Sequence, residues 1–188
     1  MRYFLIDLSS LHNAAGATFD FERNHGGVNA WGNSFPAEEI PFGQTLTVAD
    51  IPFRLPVKDG KFDHLEALGQ TIELAQTSPA IGLALLCFGE MGDQEIELTV
   101  VFSDGHEKHL QVRANVWLAD NSQAAEVTGF TCSHLHYPGD YELSYLRPTL
   151  WCHRVDWTPA AIVVRMHLGM NPLFHIFAAT SLHEGSDQ

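Results

Sequence analysis

The chain reads as an all-β protein, an antiparallel β-sandwich. Three observations predict this: a hairpin signature in the middle, short alternating runs on either side of it, and Pro and Gly spacing that leaves no room for a long helix. The hairpin spans residues 95–117, EIELTVVFSDGHEKHLQVRANVW. Ile96, Leu98, Val100 and Phe102 recur at period two, and Leu110, Val112, Ala114 and Val116 repeat the pattern. Ser103, Asp104 and Gly105 supply the turn, because Asp satisfies local backbone groups and Gly accepts positive φ. A lone hairpin is marginal in water, so this one belongs to a larger sheet. The expected register sets residues 99–102 against residues near 108–111. A slip of one residue would turn Val100 and Val112 outward.

The other elements follow in order. Residues 3–8 read as a first strand, with Tyr3 and Leu5 on one side and Phe4, Ile6 and Leu8 on the other. Residues 9–16 read as a turn region. Residues 18–33 are rich in Gly and Asn and have no helical period, so a long loop, or a short strand with a loop, is expected. Pro36, Pro41, Pro52 and Pro56 forbid long helices and central strands in the next segment. Residues 37–40 allow one helical turn at most. Residues 51–55 form a short strand, followed by a turn at Lys58, Asp59 and Gly60. Thr71 to Leu74 alternates. The apolar run 81–88, IGLALLCF, has the length and composition of a buried strand, although periodicity alone does not separate it from a helix segment. Residues 121–131 stay open between loop and strand. Residues 134–151 alternate weakly and carry Tyr137, Tyr141 and Tyr145. Residues 161–168 form a strand with Val163, Arg165 and His167 on one face and Ile162, Val164, Met166 and Leu168 on the other. Residues 169–172 read as a turn, 175–182 as a last strand, and the tail from 183 as frayed. Roughly nine or ten short strands are the pattern of two packed sheets, a β-sandwich or jelly roll. One domain over residues 1–188 is the expected organisation.

Composition narrows the partners. The 188 residues are 45% hydrophobic, and ten Lys plus Arg face 23 Asp plus Glu for a formal charge of -13. No basic cluster exists to replace counterions, which argues against nucleic acid and against an anionic membrane surface. The amino end has a short apolar run broken by Asp7 and does not resemble a signal peptide. No apolar stretch reaches the length of a membrane span. The expected location is cytoplasmic. Cys87, Cys132 and Cys152 form neither a disulfide framework nor a CxxC pair.

The order of segments resembles the galactose-binding-like jelly rolls found as accessory modules of bacterial glycoside hydrolases. The matching pieces are IDLSSLHNAAG (6–16), WGNSFPAEEIP (31–41), IPFRLP (51–56), ALGQTIEL (67–74), VVFSDGHEKHLQV (100–112) and HIFAATSL (175–182). They cover most of the chain. The resemblance implies carbohydrate binding at one sandwich edge and, in many such modules, a structural calcium ion. Where such modules accompany a catalytic domain, this chain is expected to stand alone, and the fold also serves other ligands.

Sugar recognition needs flat rings beside polar planar groups. Trp31 with Asn29 and Asn33 is the most loop-like cluster, and Trp151 beside His153 and Arg154 is the second. The expected ligand contacts are therefore Trp31, Asn29, Asn33, Trp151 and Arg154, with Trp117 assigned to the core. Asp7, Asn13, Asp20, Glu22 and Asn24 crowd oxygen atoms near the amino end. Asp20 and Asn24 are the expected Ca2+ ligands, set against ordinary turn chemistry for the same residues. His134-x-His136 with Glu142 resembles part of the first cupin motif, but with different spacing and no matching second motif around His175. No GxSxG, HExxH or phosphate-cradling loop is present. Cys132 beside His134 or His153 would be the one nucleophile pair to consider. Non-catalytic binding of a carbohydrate or small neutral ligand is the leading reading. An enzyme using His, Asp and Glu on a jelly-roll scaffold, and a protein-interaction domain, are the alternatives. The sequence leaves the oligomeric state open.

Overall fold

The computed structural model describes residues 1–59, 62–118, 127–139 and 141–185. Gly60 of the expected turn, residues 121–126 of the open segment, and the last three residues of the tail lie outside the described residues. The strands are β1 (Arg2–Ile6), β2 (Ala17–Thr18), β3 (Phe35–Pro36), β4 (Thr45–Val48), β5 (Ile51–Arg54), β6 (Leu65–Leu68), β7 (Thr71–Glu73), β8 (Ala80–Gly89), β9 (Gln94–Phe102), β10 (Glu107–Ala114), β11 (Val127–Thr131), β12 (Leu135–Tyr137), β13 (Tyr141–Leu143), β14 (Thr149–Ala161), β15 (Val163–Leu168) and β16 (Met170–His183). Two short 3₁₀ helices, Ser9–Leu11 and Asp20–Glu22, are the helical segments among the described residues. None of them is long and apolar enough to cross a membrane.

Two sheets make an antiparallel sandwich. The larger runs β1-β16-β8-β14-β11, with β6 also on β16, and the smaller runs β10-β9-β15-β7. The hairpin forms with its register displaced by two residues from the expected pairing: Val100 faces Lys108 and Thr99 faces His109, while Leu110 faces Leu98 and Gln111 faces Glu97. A shift of two keeps the same side chains inward. Gly105 at φ +84 closes the turn, and Asp104 accepts the His106 N–H at 2.9 Å. Ile96, Leu98, Val100 and Val112 are buried between the sheets together with Leu83, Leu85, Cys87, Met166 and Ile176.

The middle of the larger sheet is buried on both faces, and this accounts for the unbroken apolar run in β8. Leu83, Leu85 and Cys87 join the inter-sheet core. Ala84, Leu86 and Phe88 face a second core that also contains Phe35, Phe53, Trp117, Trp151 and Phe177. The outer wall of that second core comes from segments dense in Pro and Gly. These form the two-residue parallel pair β2-β3 and the hairpins β4-β5 and β12-β13.

Two expectations about the C-terminal third are corrected. Residues 169–172 are not a turn: Met170 pairs with Leu68 and Asn171 with Ala67 at the start of β16. Gly169 allows the direct passage, because a Cβ there would sit 2.9 Å from the Glu97 carbonyl. Pro172 falls in the irregular register between Asn171 and His175, where no ladder N–H is needed. The strict two-face split of residues 161–168 also fails. A register shift between Val163 and Arg165 puts Val163 with Met166 and Leu168 on the buried face.

Burial has a pH consequence. His136 and His175 are both 0% exposed. Burial, followed by the Arg23 charge, holds His136 below its ordinary 6.5. Burial, followed by His64, pushes His175 down to about 2. The unfolded chain therefore takes up protons on these rings before the folded one does. Their stabilising effect is complete above about pH 6.5 and declines as pH falls toward the folded values, by up to about 1.4 kcal/mol per pH unit for each ring. Urea unfolding followed from pH 7.5 to 5 should show stability falling from near pH 6.5. A flat profile down to pH 5 would contradict this.

Candidate functional site

One end of the second-core wall gathers the polar residues that the sequence scatters. Ser34 and His136 pair through reciprocal backbone hydrogen bonds of 3.1 Å, which seats the β12-β13 hairpin on the chain entering β3. Within that hairpin His136 stands opposite Glu142, and Tyr137 opposite Tyr141. Alternation along the segment projects His134 and His136 to the same side, with ring centroids 5.1 Å apart.

His136 is fixed from behind. Its Nδ1 lies 3.1 Å from the Thr18 hydroxyl, which also meets the Ser34 hydroxyl at 2.6 Å. Its Nε2 is buried without a hydrogen-bond partner and lies 3.2 Å from Asp20 Oδ1. Glu38 accepts the Asp20 backbone N–H at 2.8 Å. Asp20, Glu38 and His136 thus each bring one donor atom to within 4.8 Å of the other two. Around them, His134 Nδ1 lies 3.1 Å from Glu39, and Arg23 reaches Asp20 at 2.6 Å and Glu142 at 3.6 Å. The hydrogen bond from Arg23 holds the Asp20 carboxyl below its ordinary value.

The aromatic rim is built by the turn at residues 29–33. Asn29 Oδ1 accepts the N–H groups of Trp31 and Asn33, each at 3.1 Å. The carboxamide oxygen of Asn29 is thereby committed to the turn, which holds Trp31 out with 60% of its surface exposed. Asn33 is buried, and its Oδ1 has no partner. Gly32 at φ +73 packs against Pro138 so closely that a Cβ would meet the ring at 2.7 Å. Asn24 Oδ1 accepts the Gly139 N–H at 2.8 Å. These two contacts lock the Trp31 loop to the β12-β13 turn. Phe21, Tyr141 and Tyr145 are also displayed, each more than half exposed.

The chain belongs to the AziU2-like β-sandwich domain family. The match spans residues 5–185, from within β1 to just past β16. No curated protein matches the chain. The family description is architectural, so in this AziU2-like domain the chemistry has to be read from the side chains.

Of the expected ligand residues, the structure brings Trp31, Asn29 and Asn33 together in one turn. Trp151 is elsewhere: it is 0% exposed, packed in the second core, with its indole N–H on the Val116 carbonyl at 3.1 Å. It offers no face to a surface ligand, because the wall of small hairpins covers the sheet where an open edge was expected. Arg154, also on β14, is exposed and paired with Asp156 at 2.8 Å. Of the two expected Ca2+ ligands, Asp20 lies in a cation-competent cluster, and the Asn24 oxygen shapes the adjoining turn. The cluster includes an imidazole nitrogen, and its donor set is not specific to calcium. Cys132 is buried, which pushes its thiol up and away from thiolate chemistry. A groove of about 350 Å3 lies between β1 and the end of β5, lined by Leu5, His12, Arg54 and Phe177 among others. It holds none of the expected ligand residues.

Sequence reasoning missed Glu38, Glu39 and Arg23. Glu38 and Glu39 looked like part of a helical turn, and nothing in the local pattern ties them to His134 and His136 about a hundred positions later.

Proposed function

We propose that this chain binds, without transforming it, a carbohydrate or sugar-like small molecule where the Trp31 loop meets the β12-β13 hairpin. The observation that carries the reading is the display of Trp31 on a loop pinned to the hairpin that carries His136, whose buried Nε2 has no hydrogen-bond partner. An exposed indole covers the apolar face of a pyranose, and the carboxylates and imidazoles beside it pair hydroxyl groups. The ligand is neutral. Asp20, Glu38, Glu39 and Glu142 line the face against one Arg23, and the chain carries -13 overall, so an anion meets an unfavourable field. The galactose-binding-like resemblance points the same way. A structural cation belongs to this reading at Asp20, with Glu38 and His136 as neighbours. Calcium is its expected identity from the resemblance, and the imidazole favours a transition metal.

The test is a glycan array followed by calorimetry. Affinities of about μM to mM are expected, since water competes for each polar contact. Trp31→Ala should weaken binding by about 1–3 kcal/mol and leave the melting temperature unchanged, because an exposed ring adds little to the core. Melting of chelated protein with added Ca2+ or Zn2+ then tells the two ions apart. A blank array, together with turnover of a metabolite that depends on His134, would replace this reading with the enzymatic one.

A further inference from the structure

A second constellation lies in the interior, away from the Trp31 face. Asp63 is fully buried immediately before β6. Its carboxylate accepts the backbone N–H groups of Gly16 at 2.8 Å and Ala17 at 3.1 Å, and the Lys58 ammonium at 2.7 Å. It also accepts Nδ1–H of His64 at 2.8 Å. In the neutral imidazole this leaves Nε2 of His64 as an acceptor, and Nδ1–H of His175 donates to it at 2.9 Å. The tautomer of His175 is thereby set, and its Nε2 carries a lone pair. That nitrogen is buried and has no hydrogen-bond partner.

Strand geometry decides where it points. His64 and Glu66 are two residues apart and share a face, and His175 on β16 stands opposite Glu66 on β6. Glu90, just beyond β8, is tied by its N–H to the Leu173 carbonyl at 2.9 Å. This brings its carboxylate to 3.9 Å from Nε2 of His175. Both imidazoles are clamped by rings: His175 stacks on Phe88 at 4.4 Å, and His64 on Phe177 at 5.1 Å. Glu66 brings a carboxylate oxygen to within 4.8 Å of a ring nitrogen of His64 and of His175, so the buried lone pair lies among carboxylates and lacks a positive centre.

We propose that Nε2 of His175 and the carboxylates of Glu66 and Glu90 form a site for one divalent transition-metal cation, with the Asp63–His64 pair behind it as the orienting support. One nitrogen and carboxylate oxygens suit Zn2+, Co2+, Mn2+ or Fe2+ better than an all-oxygen cation. A ligand imidazole that donates its other N–H into a carboxylate-backed chain is the arrangement that fixes and strengthens such a donor. His64 is then a positioning residue, since its two nitrogens are already committed to Asp63 and His175. Access is provided by the carboxylates: Glu90 keeps 12% of its side chain exposed, and Glu66 is partly exposed.

The test uses full-length protein stripped with chelator and titrated with Co2+, read by visible absorption and calorimetry. The expected result in Asp20→Asn protein, where the cluster near the Trp31 loop does not contribute, is one ion bound per chain, displaced by Zn2+, with affinity at least tenfold weaker when Glu66→Gln or Glu90→Gln is added. Melting curves should show both variants folded. Asp20→Asn and Glu38→Gln should keep this site, which separates it from the cluster beside Trp31. The proposal is overturned by wild type that takes up no Co2+. It is equally overturned by binding in Asp20→Asn protein that Glu66→Gln and Glu90→Gln leave unchanged, or by binding lost only with Asp20→Asn.

Discussion

Asp63→Ala is expected to destabilise the protein by about 3–5 kcal/mol, a large share of the stability of a domain this size. The carboxylate serves four donors: two backbone N–H groups at the start of β2, the Lys58 ammonium and the His64 imidazole. Removing it strands all four, and His64 is completely enclosed while Lys58 keeps only 9% of its side chain exposed. An unpartnered buried donor costs its full desolvation, about 1–3 kcal/mol and more for a charge. Burial alone would raise the Asp63 carboxyl. The hydrogen bond from His64, with the charge and hydrogen bond of Lys58, outweighs it and holds the group below its ordinary 3.8. Its contribution is therefore present above about pH 4 and lost as pH falls further. Urea unfolding at pH 7.5 measures the variant directly. A loss under about 1 kcal/mol would mean that the network does not hold the β2 and β6 segments together.

Trp117→Ala should cost about 3–5 kcal/mol by a different route, an unfilled cavity. Trp117 is 1% exposed, and its ring meets Phe35 at 5.3 Å and Phe88 at 5.8 Å. Its backbone ties the end of the central hairpin to β8 and β14, through Gly89 at 3.0 Å and Thr149 at 2.7 Å. These rigid aromatic neighbours cannot collapse into the space. Thermal unfolding of Trp117→Ala beside Trp31→Ala gives an internal comparison, a large drop for the first and none for the second. Equal melting temperatures would contradict the assignment of one ring to the core and the other to the surface.

The parts of the fold legible in the sequence are those whose signal is local. Alternation in 95–117 fixes the hairpin and which of its side chains face inward, though not the register, which lies two residues from the expected pairing, and the composition of 81–88 marks a strand covered on both sides. The β15 bulge was not legible, since one extra residue at Val164 shifts the faces without changing the pattern of residue types. The second core was hidden for another reason. Its wall is assembled from two- to four-residue strands in a Pro-rich stretch, too short to show a period. The candidate sites divide in the same way. Trp31 was legible because a large ring among Gly and Asn has few structural uses. The Asp20–Glu38–His136 and His175–Glu66–Glu90 groupings depend on pairings between distant segments, Ser34 with His136 and His175 with Glu66. No spacing along the chain announces those pairings.

The proposed ligand face is tested most directly by the indole N–H signals of the four tryptophans during titration with a sugar found on the array. Trp151 and Trp157 donate to the Val116 and Ala80 carbonyls, and Trp117 is enclosed, so their signals report the interior. The account predicts that the Trp31 signal moves in a saturable way while the other three stay fixed. Saturable binding with an unmoved Trp31 signal, or with the largest shift at Trp117, Trp151 or Trp157, would contradict it.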